Sequence, residues 1–410
     1  MNEPTGDVEL KRSVGLFGLI LYGLGVTIGA GIYVLVGETV VRAGQNAPAA
    51  FLLSAIVMAF TAGSFAELSG RVPKAAGEAV YVEEAFGWPW LTIAVGLGII
   101  FEAMIAAAAI ALGAAGYLGE LVPLPGEILV AAVVILMSGV AIWGIRETVV
   151  IAGAMTLIEV VGLLIIIGAG LGRDPGVMAA LPSSVLIPMG DWAVAAGVIS
   201  ASLIAFFAYI GFDDVVNLVE ETRNPRRTMP WAIGLTLVIV TVLYVLVSFV
   251  TAQLIPVDAL EGTNAPISLV FEQLTGLPPL AITLVAILAT TNGVGIVIVM
   301  AARVAYGMAR EGRLPAWLGK VSPRTRTPVR ATVLVAAVVL GMAFAAPLDV
   351  LAETTSEVLL AIFFLVNAAL VALKLRKVPM AEGVFVVPLV VPVLGALLCV
   401  MLLVAGQLAG

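Results

Sequence analysis

Hydrophobic positions in this chain run in long blocks, not in the short alternations of a half-buried strand. Apolar stretches of about twenty residues, the length that crosses a bilayer as a helix, fall at about 15–37, 48–70, 88–118, 126–144, 150–172, 192–219, 231–253, 278–308, 330–346, 350–373 and 385–408. Polar and basic clusters separate them. The pattern predicts an all-α polytopic membrane protein with about 11 transmembrane helices. The first apolar run is long and lacks a small-residue cleavage pattern, so it is expected to be a retained helix and not a signal peptide.

Two of these runs are interrupted by glycine at related places. The first break is Ile28-Gly29-Ala30-Gly31, and the second is Tyr209-Ile210-Gly211. Backbone in lipid must satisfy its own hydrogen bonds, so an unwound stretch survives only inside protein or along a polar cavity. Broken helices in matching parts of two halves point to the substrate site of a transporter. The competing explanation is that Gly23, Gly25, Gly29 and Gly31 are small residues that let helices pack closely.

Charge placement supports the span count. With the N-terminus inside, all but Arg42 and Arg173 of the 20 basic residues fall in cytoplasmic segments or at their edge. A miscounted span would scramble this positive-inside bias. Spans one to five and six to ten then run in opposite senses, each set opening on an interrupted helix, which is an inverted-repeat arrangement. The expected organisation is a cytoplasmic N-terminal segment (1–14), a first repeat (15–172), an extracellular loop (173–191), a second repeat (192–373) and an additional helix (374–410). Asp349, Glu353 and Glu357 recur at i, i+4, i+8 near the outer end of the tenth span. They either draw cations into a vestibule or serve as acidic residues at a helix N-terminus.

Composition narrows the class further. Hydrophobic residues make up 61%, charged residues 11%, and mean hydropathy is +1.16, far from the soluble average. Cys399 is the only cysteine and histidine is absent, which excludes an internal disulfide, a cysteine metal cluster and imidazole proton relays. An embedded enzyme would need a nucleophile with a base or a metal centre, and neither is evident. A channel would more naturally show pore loops or rings of charge.

Four motifs carry a resemblance. They are GVTIGAGIYVLVG (Gly25 to Gly37), AELSGRVPKAAGEAVYVEEAFG (Ala66 to Gly87), FFAYIGFDDVVNLVEETRNPRRTMP (Phe206 to Pro230) and ARVAYGMAREGRLP (Ala302 to Pro315). In this order the chain resembles the amino acid–polyamine–organocation (APC) transporter superfamily, closest to its cationic-amino-acid-transporter-like branch, over nearly its whole length. The resemblance implies a LeuT-like 5+5 inverted repeat with discontinuous helices 1 and 6. Backbone N–H groups at Ala30 and Gly31 would hold a substrate carboxylate, and carbonyls at Thr27, Phe207 and Ile210 its amine. Ile28, Gly29, Ala208 and Gly211 complete the two breaks, and Phe207 matches a gate over the substrate. The family usually has twelve spans, and the ten-span core is complete here.

Ionisable groups inside apolar spans are costly, roughly 2.5 kcal/mol or more on insertion scales, and are functional candidates. Glu102 matches a family glutamate near the substrate chamber and either reads a basic side chain or bonds a neighbouring helix. Glu159 stands where several similar proteins carry a lysine that takes the place of a coupling sodium. It is either the coupling group or a neutral structural acid. Asp213 matches a family acidic position, with capping of the restarting half-helix as the favoured role; Asp214 is a local variation. Thr290, Thr291 and Asn292 offer oxygens for an ion or for interhelical packing.

The expectation is a secondary active transporter of amino acids in the cell membrane, working by alternating access. It would be coupled to a proton or sodium, or act as an exchanger, with no other cofactor. A sensor that binds an amino acid or polyamine without moving it is the alternative. The expected partners are an amino acid or amine and the lipid bilayer, not nucleic acid; oligomeric state stays open.

Overall fold

The computed structural model describes residues 14–29, 31–72, 77–143, 149–188 and 190–409. Ala30, at the first break, and the N-terminal segment up to Ser13 lie outside the described residues.

The helices follow the apolar blocks. In order they are α1 (Leu16–Ile28), α2 (Gly31–Ala43), α3 (Ala47–Arg71), α4 (Gly77–Phe86), α5 (Pro89–Gly119), α6 (Gly126–Trp143), α7 (Val149–Arg173) and α8 (Leu181–Ser184). Then come α9 (Trp192–Phe207), α10 (Pro225–Leu254), α11 (Val257–Leu260), α12 (Pro266–Thr275), α13 (Leu280–Arg310), α14 (Val329–Ala345), α15 (Leu348–Leu375) and α16 (Val390–Ala409). Among the described residues, 8 helical stretches are long and apolar enough to cross a membrane, and α1, α9 and α14 are shorter apolar helices. The protein is an all-α, multi-pass membrane protein.

Local chemistry sets the boundaries. Proline stands at the first turn of α3, α5, α10 and α12, where its missing N–H costs nothing. Asp191 caps α9 by accepting from the N–H groups of Ala193 and Val194. Helix α12 ends on Gly276 in the left-handed region, the usual terminator.

Small residues set the packing. Helix α5 is rich in buried alanine from Ala103 to Ala115 and packs chiefly against α13 and α15. Helix α10 lies on α3, α1 on α10 and α7, and α2 on α9. The outer surface is equally apolar: Ile135, Leu136, Val161, Leu164, Val238, Val242, Leu397 and Val404 are exposed, as lipid-facing positions should be. All six tryptophans are exposed, between 44% and 77%. Five of them, Trp88, Trp90, Trp143, Trp231 and Trp317, lie at helix ends or in loops on the basic side of the bundle, where an indole meets the headgroup level.

Hydrogen bonds gather the two ends of the bundle. At the basic end Arg376 donates to the Ala85 carbonyl, Arg226 to the Glu382 carbonyl and Thr327 to the Ile142 carbonyl. At the opposite end Asn46 donates to Ser183 and Leu186 carbonyls, and Gln253 to the Gln45 carbonyl. Arg42, an exception to the charge bias, is surrounded there by Glu38, Asp349, Glu353 and Ser200. Glu357 accepts from Gln407. Each member of the acidic stripe thus has a side-chain partner, with a single cation, Arg42, against Glu38, Asp349 and Glu353.

Candidate functional site

The two breaks meet. A Cβ on Gly31 would lie 2.4 Å from Ala208 Cα, and one on Gly211 would lie 2.7 Å from Val26 Cγ1 and 3.0 Å from the Val26 carbonyl carbon. Only glycine permits this approach, and Gly211 also adopts φ +112, a backbone that L side chains rarely adopt. Helix α9 ends at Phe207 because the chain then turns: the N–H groups of Ala208, Tyr209 and Ile210 bond the carbonyls of Ala205, Phe206 and Phe207, three residues back. Beyond the break, Asp213–Glu221 is a run of 3-10 turns. The expectation of α-helix to 219 is corrected there.

Asp213 does not cap a restarting helix. Its Oδ1 accepts from the N–H of Gly211, two residues earlier, at 3.0 Å, so it braces the break itself and not the turn ahead of it. Its carboxyl also faces that of Glu78 on α4. Glu78, outside the spans, is held above the usual carboxyl range by burial first and by Asp213 next. Glu78 lies within the second motif, yet no sequence signal marks it as a site residue.

Tyr244 on α10 is a second residue that sequence did not indicate. Its hydroxyl lies 2.8 Å from the Thr27 carbonyl and 2.9 Å from the Ala208 carbonyl. One phenol therefore bridges the last turn of α1 and the first turn after α9. It is fully buried, and its ring meets Phe51 and Tyr209 edge-on. The two segments are joined again at the basic end, where Val14 N–H bonds the Glu221 carbonyl at 3.0 Å and Arg223 N–H bonds the Val14 carbonyl at 2.9 Å.

A cavity of about 1440 Å³ runs from the breaks to the basic end. Gly25, Val26, Ile210 and Asp213 line its upper part, and Arg313, Arg326 and Thr327 its mouth. Eight carboxyl residues line it against three arginines, with Glu78, Glu102, Glu159, Asp213 and Asp214 on its walls. Arg313 at the mouth pairs with Glu83 and Glu311, so the excess negative charge lies deeper. Glu102 and Glu159 are both almost wholly buried. Glu159 stands beside the first break: Tyr33 on α2 donates to its backbone carbonyl at 2.7 Å, and Thr156, one turn earlier, donates to the Leu21 carbonyl of α1 at 3.1 Å.

The remaining sequence candidates lie around this centre in different ways. Thr27 and Ile28 are buried at the end of α1, and Gly29 approaches the Ala289 carbonyl of α13. Phe207 and Ala208 are buried and, among the described residues, are not cavity-lining. Thr290 and Thr291 donate to the Ala286 and Ile287 carbonyls of their own helix, at 2.7 and 2.5 Å. Neither lines the cavity, whereas Asn292 does.

Known proteins decide the family. The amino acid permease family profile matches residues 14–410. The chain belongs to the amino acid permease family, within the APC superfamily. The branched-chain amino acid permease BcaP of Bacillus subtilis is 31% identical, over 97% of this chain and 89% of its own length. A vacuolar cationic amino acid transporter of Arabidopsis thaliana is 32% identical over 91% of this chain, which spans 65% of the plant protein. A methylthioribose transporter of Bacillus subtilis is 30% identical over 97% of this chain and 89% of its length. These relatives are named as transporters or permeases, not as enzymes. As a family member, this permease is a membrane transporter.

Proposed function

We propose that the permease is a secondary active transporter of amino acids or closely related amines in the cell membrane, working by alternating access. The observation that carries this reading is the direct contact of the two helix breaks at Gly31 and Ala208, at the head of an acidic cavity. Breaks of this kind leave N–H groups for a carboxylate and carbonyls for an ammonium. A zwitterionic headgroup bound there would use the backbone around Thr27, Gly31, Phe207 and Ile210, which leaves side-chain choice to the cavity walls.

Those walls favour a positive charge. Relatives named for branched-chain, cationic and methylthioribose substrates show that family membership alone leaves the side chain open. In this chain Glu102, Asp213, Asp214 and Glu159 surround the space below the breaks, and a cationic side chain would offset their charge. Glu159 on one wall and the adjacent carboxyls of Glu78 and Asp213 on another are the proposed coupling groups. Two inverted five-helix repeats, rocking about the breaks, would expose the cavity alternately at either end.

A counterflow screen in proteoliposomes tests this, using radiolabelled lysine, arginine, ornithine, leucine and putrescine with and without proton and sodium gradients. Exchange of basic amino acids ahead of leucine is expected. Saturable binding with no exchange of any of them would instead support a transporter-like sensor.

A further inference from the structure

A second cleft lies at the basic end, away from the helix breaks. It occupies about 390 Å³ between the end of α3, the end of α15 and the segment leading to α16, within the ~300–1,000 Å³ range of small-molecule sites. Its polar wall is Arg71, Lys374 and Lys377, and its other wall is apolar, with Leu373, Met380 and Val386.

The polar wall is built on one buried carboxylate. Glu67, fully buried on α3, pairs with Arg71 at 2.7 Å and with Lys374 at 2.6 Å. It also accepts the Val387 N–H at 2.8 Å, while Lys374 donates to the Val387 carbonyl at 2.6 Å. Four contacts thus fix two cations in place with a single negative charge between them. Lys377 adds a third cation, exposed and without an ion pair among the described residues.

Lys377 also sits in an unusual backbone. Helix α15 closes with the Val378 N–H bonding the Leu373 carbonyl, and Lys377 takes φ 51. This left-handed position after a helix is where glycine is usual, and a lysine there is strained. Helix termini and cytoplasmic faces attract cations in general. Neither tendency calls for a buried carboxylate framing the site, nor for an apolar wall facing it. Phe385, Val386, Leu389 and Val390 continue that wall along the exposed surface into the first turn of α16.

We propose that this cleft binds the headgroup of an anionic phospholipid, its phosphate against Arg71, Lys374 and Lys377 and its acyl chains along the apolar surface that leads to α16. The chemistry is a basic pocket between helices at the headgroup level, which selects anionic over zwitterionic lipid. Bound there, the lipid bridges α3, α15 and α16.

Native mass spectrometry of the purified full-length protein with phosphatidylglycerol and phosphatidylcholine, beside thermal unfolding in each lipid, tests the assignment. Phosphatidylglycerol is expected to bind more tightly than phosphatidylcholine and to raise the unfolding temperature. Lys377→Gly removes one cation while suiting the left-handed backbone, so folding is preserved. It is expected to weaken phosphatidylglycerol binding about fivefold, the factor for roughly one kcal/mol per basic residue, and to leave phosphatidylcholine binding unchanged. Equal binding of the two lipids, or an unchanged phosphatidylglycerol affinity in Lys377→Gly, overturns the proposal. Inorganic phosphate or glycerol phosphate reproducing the whole thermal shift would reassign the cleft to a soluble anion and overturn the lipid assignment.

Discussion

Arg42 Nη2 donates to Asp349 Oδ2 at 3.0 Å, which ties the last turn of α2 to the first turn of α15. The same guanidinium pairs with Glu353 and, at 3.1 Å, with Glu38. The cavity opens at the other end of the bundle, which makes this cluster the candidate lock of the end away from it. Each pair is half-exposed and worth about 0.2–1 kcal/mol, so Arg42→Gln should lower the unfolding temperature only slightly. Its larger effect should be on opening. Ser200, which accepts from Arg42 at 3.2 Å, can be replaced by cysteine and probed with a membrane-impermeant maleimide, because Cys399 is buried. Labelling of Ser200→Cys should be faster in the Arg42→Gln background, and an unchanged rate would deny Arg42 a locking role.

The glycine contacts set a sharper contrast. Alanine at Gly31 would place its Cβ 2.4 Å from Ala208 Cα, against backbone that cannot step aside, whereas at Gly29 the nearest atoms are carbonyl oxygens at 3.3 and 3.5 Å. Overpacking of the first kind costs typically 1–3 kcal/mol or more. Gly31→Ala is expected to lose both thermal stability and counterflow, and Gly29→Ala to keep most of both. Equal behaviour of the two variants would mean that the breaks do not touch as described.

Much of this architecture was legible in the chain because glycine and long apolar runs are strong local signals. Gly29, Gly31 and Gly211 marked the breaks, and the apolar blocks other than 15–37 and 192–219 each became a helix close to its expected bounds. What stayed hidden is long-range. Tyr244 reads as one more aromatic in an apolar helix, and nothing local says that its hydroxyl meets carbonyls 217 and 36 residues away. Glu78 sits in a polar motif, where a solvated carboxylate is the default, yet its partner is Asp213 across the bundle. The run to Val219 looked helical because apolar content there cannot tell α from 3-10 turns. Arg42 stood out only as an exception, and its explanation lay on α15.

Tyr244→Phe isolates the bridging hydroxyl. It leaves the Thr27 and Ala208 carbonyls without that partner in a buried site, a loss of about 1–3 kcal/mol where nothing replaces it. The unfolding temperature should fall, and the KM for exchange should change more than the maximal rate if the freed Thr27 carbonyl takes up a substrate ammonium. A variant with unaltered stability would show that water fills the place of the phenol.

Glu102→Gln tests the charge of the cavity. The residue is almost wholly buried, lines the cavity and shares it with Asp213 and Asp214. Removing one negative charge should raise the KM for lysine or arginine while leaving that for a neutral amino acid close to its original value. A parallel rise for both classes would make Glu102 a packing residue, since a helix-bonding role has no reason to discriminate by substrate charge.

Glu159→Gln addresses coupling. Glutamine keeps the shape of the side chain and its backbone carbonyl, which accepts from Tyr33, but it cannot exchange a proton at physiological pH. If Glu159 carries the coupling proton, the variant should still exchange labelled substrate across proteoliposomes, because exchange returns the carrier loaded and needs no net proton movement. Accumulation driven by an imposed proton gradient should collapse in the same vesicles. The two assays together separate coupling from folding, as a misfolded variant would lose both. Undiminished proton-driven accumulation would remove Glu159 from the coupling role and leave the adjacent Glu78 and Asp213 carboxyls as the group to test next by Glu78→Gln.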